Sequence, residues 1–218
     1  MIRFSSIVGN LTSAYLLTQD KEYVDAILAH VRAWFVNEST KMNPNLQYAQ
    51  AIKGIATGRG IGIIDTVHLM EVAQSLWQLE KLGVLSKDDI KSTKQWFADY
   101  LKWMFTHQYG IDEMNAKNNH GTCWVMQAAV FARYAGDKDM MDFVSGVIKK
   151  YFYLSRWRKT VVFRWRQHVR NLMVILYLIW MPWQQYARRF RIRMIIYGLI
   201  RQREVRIWRR VLILSIPM

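Results

Sequence analysis

The residues best equipped for chemistry are gathered in two polar stretches. Asn118-Asn119-His120, followed by Gly121 and then Trp124, sets amide and imidazole groups where a helix begins. Amides donate hydrogen bonds without carrying charge, and imidazole takes up or releases a proton near neutral pH. The trio therefore suits a reaction that moves a proton beside developing negative charge. A structural role fits the same residues, because Asn is a common N-cap and a lone His near a helix start is often a hydrogen-bonding residue. The second stretch is Gly58-Arg59-Gly60-Ile61-Gly62. It invites a phosphate-loop reading, but the dinucleotide pattern requires Gly where Asp65 stands, no strand precedes it, and no Gly-Lys-Ser/Thr ending follows. Two readings remain. The glycines form a flexible lead-in to a helix starting near Asp65, or backbone N–H groups at that start, with Arg59 beside them, receive a carboxylate.

Other chemistries find less support. His30, His68, His107 and His168 lack metal-ligand spacing such as HExxH, and Cys123 is the single cysteine, which excludes an internal disulfide and a Cys-rich zinc site. No Ser-His-Asp order can be read. The acidic residues lie mainly on helix faces, where solvation or ion pairing is the default, and no glycosidase carboxylate pair stands out.

The elements that must position these groups read as helices. Phe4, Ile7, Leu11 and Tyr15 follow helical spacing, as do Tyr23, Ile27, Val31 and Trp34, with Asp20, Glu22 and Asp25 suited to the positive end of the second segment. A third helix is expected from about Asp65 to Leu82, closed by Gly83 in a left-handed conformation. A fourth follows. Ser86 with Asp89 resembles a capping box, and Ile90, Phe97, Leu101 and Met104 or Phe105 form its apolar face until Gly110. Trp124 to Tyr134 and Met140 to Ile148 give two more, divided by a turn at Gly136-Asp137. Strand signals are nearly absent before residue 150. The spacing predicts an all-α body of antiparallel α-hairpins, as a bundle, a solenoid or an α/α toroid. Two long polar connections, residues 37–65 and 109–124, are where binding and chemistry are expected.

Charge divides the 218 residues sharply. Residues 1–150 hold 16 Lys+Arg against 15 Asp+Glu, whereas residues 151–218 hold 15 against one. A near-neutral body thus precedes a strongly basic tail. At 52% hydrophobic the chain has enough apolar residues for a core. The N-terminus does not read as a signal peptide. No apolar run reaches the roughly 18–20 residues that span a bilayer, so no transmembrane segment is expected.

The body also resembles a family. NPNLQYAQAIKGIATGRGIGIIDTVHL and AKNNHGTCW are similar to the alginate lyases, α/α-barrel polysaccharide lyases, and the resemblance runs over about residues 4–150. It implies an incomplete α/α toroid and β-elimination on a uronic-acid polymer, alginate or a related glucuronan, without a cofactor. It implies that Asn119 supplies an amide donor to the sugar carboxylate and that His120 neutralises charge or acts as base. A Tyr and an Arg further along the chain complete the family's site. Asn118, Trp124, Arg59, Gln50 and His68 are the candidate substrate-binding residues. Trp124 is read equally as a sugar platform or as core. A periplasmic or secreted location follows from the family and its polymer substrate, and the family's upstream segment, with further substrate-binding residues, has no counterpart here.

The family's Tyr and Arg belong to a stretch resembling RTKPYGYS, which the tail lacks. Instead residues 151–218 carry 14 Arg and one Lys, with no Asp, one Ala and one Gly. A shift of reading frame accounts for this. His168 to Ile175, back-translated CAC GTA CGA AAC CTT ATG GTT ATT, reads RTKPYGY from the third base onward. The expectation is an alginate lyase-like body over 1–150 and an out-of-frame tail over 151–218, with a frame error near residues 147–156 and an inactive chain. The alternative takes the tail at face value, as an Arg/Trp-rich segment binding nucleic acid or anionic membrane. On the lyase reading no nucleic-acid partner is expected. A third possibility is an α/α-barrel glycoside hydrolase that uses carboxylates.

Overall fold

The computed structural model describes residues 1–156, with side chains described for residues 1–148. The expected out-of-frame tail, its cationic-binding alternative and the Tyr and Arg expected from its other frame fall almost entirely outside the described residues. Within them the fold is all-α: α1 (Ile2–Thr18), α2 (Lys21–Phe35), a 3-10 helix (Gly60–His68), α3 (Leu69–Lys81), α4 (Lys87–Thr106), α5 (Gln108–Met114), α6 (Asn119–Ala135) and α7 (Lys138–Arg156). The described residues form no strand beyond an isolated bridge between Ile52 and Ala56.

The caps explain most boundaries. Asp20 accepts a hydrogen bond from the Glu22 N–H and starts α2, while Gly83, at φ 70°, takes the left-handed turn after α3 that a side chain would strain. Ser86 caps α4 by accepting from the Asp89 N–H, but the Asp89 carboxylate does not return the bond as a capping box would. Instead it accepts from the Ser86 hydroxyl and from Arg32 of α2.

Two expected boundaries move. The helix expected from Asp65 is a 3-10 turn from Gly60 to His68, and regular α-helix starts only at Leu69. The flexible lead-in is therefore replaced by a close-packed segment. A Cβ on Gly58 would lie 1.8 Å from the Gln47 carbonyl oxygen, so glycine here serves contact rather than looseness. The fourth helix does not run to Gly110. It breaks at His107, whose extended backbone and Nδ1, accepting from the Tyr109 N–H, start α5. The expected loop 109–124 shrinks accordingly to the few residues between Met114 and Asn119.

The core gathers on α6. It packs against α3, α4, α5, α7 and the 3-10 helix, and from Trp124 to Ala132 every residue is buried. A helix buried nearly all round is a central element. Phe97 and Tyr100 of α4 meet Phe131 with ring centroids 5.1 and 5.8 Å apart, and Phe97 also meets Tyr134 edge-on at 5.4 Å. This packing fixes α6 as a rigid rod, and its N-terminus carries Asn119 and His120.

Candidate active site

α6 begins where Asn118 stops the preceding turn, its side-chain oxygen accepting from the His120 N–H at 3.0 Å. Asn118 thus acts as the cap that its type suggested. Asn119, the first helical residue, is exposed, and its amide makes no hydrogen bond among the described residues. His120 is partly buried. Its Nδ1 lies 2.6 Å from Oε1 of Glu113, a residue of α5 with a side chain only 3% exposed, against 22% for the imidazole. Burial pushes the Glu113 carboxyl above its ordinary range, and the bond from His120 pulls it back down. Glu113 is the residue at this site that sequence reasoning did not single out, since it lay within the expected polar loop 109–124. Its only signal is a place seven residues before His120, across a helix break.

Trp124 takes the core position of its two readings. It is fully buried, one turn beyond His120, with its ring edge-on to Phe105 at 4.6 Å. A sugar face has no access to it, so the platform reading is corrected. Cys123 is half-buried, and burial, with the Glu113 charge adding to it, pushes its thiol up.

The second polar stretch makes its own chain. Arg59 Nη2 donates to Gln50 Oε1 at 3.2 Å, and Gln50 Nε2 donates to Asp65 Oδ2 at 3.1 Å. Arg59 and Gln50 are therefore brought together, with Asp65 as a third member. Gln50 holds a positive φ of 50° to do so. His68 is set apart at the end of the 3-10 helix, where its field acts on Glu71 of α3.

The two stretches meet through α5. Tyr109 donates its hydroxyl to the Gly58 carbonyl at 2.9 Å, on the same short helix that carries Glu113. Beneath them lies a buried knot. The Thr66 hydroxyl of the 3-10 helix meets the Tyr100 hydroxyl at 2.8 Å and the Gln127 carbonyl of α6. Leaving such groups unpaired in the core would cost about 1–3 kcal/mol each, so the knot pins the 3-10 helix to α6. Among the described residues no three His, Cys, Asp or Glu side chains form a metal site, and no helix is long and apolar enough to cross a membrane.

The chain can be set beside known proteins. The sequence model of one family, described as alginate lyase, matches residues 1–154. The chain belongs to the alginate lyase family. A solved alginate lyase from Bacteroides ovatus is similar at 32% identity with a TM-score of 0.61, over 65% of this chain and 38% of that one. The chain thus spans well under half the length of that relative. No curated protein matches it. For an alginate lyase family member the all-α body is consistent with a partial α/α toroid, which the resemblance implied and which was one of the three architectures the paired helices left open.

Proposed function

We propose that the described body is the amide-and-imidazole half of a polyuronate lyase site, and that a protein carrying the complete site cleaves alginate or a related glucuronan by β-elimination. One observation carries the reading. Asn119 is exposed and His120 partly exposed at the head of a rigid helix, rather than walled off among packed side chains.

The chemistry asks for these groups. The C5 proton of a uronate is a weak acid, because removing it places more charge beside an ionised carboxylate. A neutral donor such as Asn119 accommodates that charge on the carboxylate oxygens, and His120 neutralises it or takes the proton. The electron pair left on C5 forms the C4=C5 bond, the C4–O bond breaks, and the departing oxygen takes a proton from an acid. On this reading Arg59, bonded to Gln50, receives a further sugar carboxylate, and Asn118 flanks the first. The substrate is a polymer, which favours a secreted or periplasmic protein.

The second half of the site belongs to the other reading frame of residues 151–218, so the chain as written is inactive. Ultraviolet absorbance of the new C=C bond tests both statements. The frame-restored, full-length protein is expected to release unsaturated ends from alginate or glucuronan and the present chain is not. Cleavage of no uronate polymer by the restored protein overturns the substrate, and cleavage by the present chain overturns the frame reading. Hydrolysis without unsaturation indicates a glycoside hydrolase instead.

A further inference from the structure

A buried carboxylate, Glu113, lies within hydrogen-bond distance of His120 Nδ1. We propose that Glu113 is a positioning residue for His120: it accepts a hydrogen bond from Nδ1–H, holds the ring at one angle, and leaves Nε2 as the nitrogen that meets the uronate. The inference rests on the reading of His120 as a substrate-facing group.

The geometry argues for it in three steps. At 2.6 Å, Glu113 Oε1 and His120 Nδ1 must share a proton, since two bare lone pairs repel at that distance. An imidazole is in general a stronger base than a carboxylate, and the bond between the two opposes the rise that burial gives Glu113, so the proton is assigned to nitrogen and the charge to the carboxylate. A neutral ring with its proton on Nδ1 has its only lone pair on Nε2. Without a partner, neutral histidine in water prefers the opposite form, with the proton on Nε2. Glu113 therefore reverses a preference.

The surroundings fix the carboxylate as firmly as the ring. Glu113 is 3% exposed on a seven-residue helix whose start is held by His107 and whose Tyr109 is tied to Gly58. Asn118, by capping α6 through the His120 N–H, fixes the backbone from which the imidazole hangs. The side chain has few remaining freedoms. Orientation of a ring nitrogen by a buried carboxylate is a general device, because the proton-moving atom must meet its target within a few tenths of an ångström. The imidazole keeps 22% of its side chain exposed at the helix head while its carboxylate partner is buried.

Nuclear magnetic resonance of the full chain labelled with 15N-histidine reads the proton's place without requiring turnover. At a pH where the ring is neutral, His120 is expected to carry its proton on Nδ1, with Nε2 resonating as an unprotonated nitrogen. Glu113→Gln and Glu113→Leu, checked for folding by circular dichroism, are expected to shift the ring toward the Nε2–H form. Glu113→Asp is expected to restore the original form partly. Adding an alginate trisaccharide to the frame-restored protein is expected to move the Nε2 signal of His120 more than the Nδ1 signal. The Nε2–H form in the parent chain overturns the role of Glu113 whatever the variants do, and leaves the substrate reading standing. In the frame-restored protein, an Nδ1–H form that ignores the trisaccharide overturns the assignment of His120 to substrate, and the positioning role falls with it.

Discussion

Two carboxylates in this body are buried against partly exposed cations or rings, yet they are built for different ends. Asp89 is held by both nitrogens of the Arg32 fork at 2.8 Å, with the Ser86 hydroxyl adding a third bond. The bond from Arg32 is the main reason its pKa lies below the usual carboxylate range. Glu113 has a single partner that can itself lose its charge, and burial pushes it the other way. A permanent, forked pair locks α2 to α4. A single bond to a titratable ring holds a proton in place, which is what chemistry requires and stability does not.

Removing the ring itself should have the largest effect. In the frame-restored protein, His120→Ala and Asn119→Ala should each lower turnover by about 10²–10⁴-fold, the range for a lost proton-transfer group or oxyanion donor. The fold should survive, because neither side chain belongs to the apolar core, with His120→Ala costing some stability by leaving buried Glu113 without its partner. Retained turnover in either variant would break the contrast at its functional end. Glu113→Gln should follow, with turnover down by about 10²-fold as the ring loses its fixed form, and with Glu113→Asp recovering part of it.

The two carboxylates should also have opposite effects on acid stability. Asp89 has a depressed folded pKa, so its contribution is present above its unfolded value and is lost as pH falls through the folded one. Glu113 has a raised folded pKa. Between its unfolded value and that raised one the folded state binds more protons, so stability falls as pH rises through that window. Asp89→Asn should flatten the acid side of a denaturation-against-pH curve and cost about 1–3 kcal/mol at neutral pH. Glu113→Gln should remove the fall on the higher side. Parallel changes in the two variants would erase the distinction.

Much of this arrangement was legible before any coordinates. Helical spacing located the cores of α1, α2, α3 and α4, and Gly83 and Ser86 marked their joints because capping chemistry is local. Asn118 to His120 announced a helix start for the same reason. The pairing of Glu113 with His120 was not legible, because it depends on the angle between α5 and α6 across a break of a few residues, and no periodicity encodes that angle. Arg59, Gln50 and Asp65 met for a reason equally hidden, a positive φ at Gln50 in a segment without regular structure. Trp124 carried both readings until packing decided. At helical spacing an aromatic that faces a sugar and one that faces Phe105 look alike, and only the position of α4 separates them.

The smallest expected effect sharpens the comparison most finely, because Asn118 borders both worlds. Its oxygen caps α6, and its exposed side chain sits next to Asn119. Asn118→Ser keeps a capping oxygen and shortens the side chain, so stability should change by less than about 0.5 kcal/mol, whereas Asn118→Ala should cost about 1 kcal/mol through the lost cap. A residue that only caps should leave the KM for alginate unchanged in the Ser variant of the frame-restored protein. A residue that also holds a sugar should raise KM several-fold with kcat nearly constant, since a contact made equally in ground and transition states affects binding alone. We expect the second pattern. The amide reaches further than a hydroxyl and lies beside the group that must face the uronate, so thermal denaturation and steady-state kinetics of the Ser variant should part company where those of the Ala variant move together.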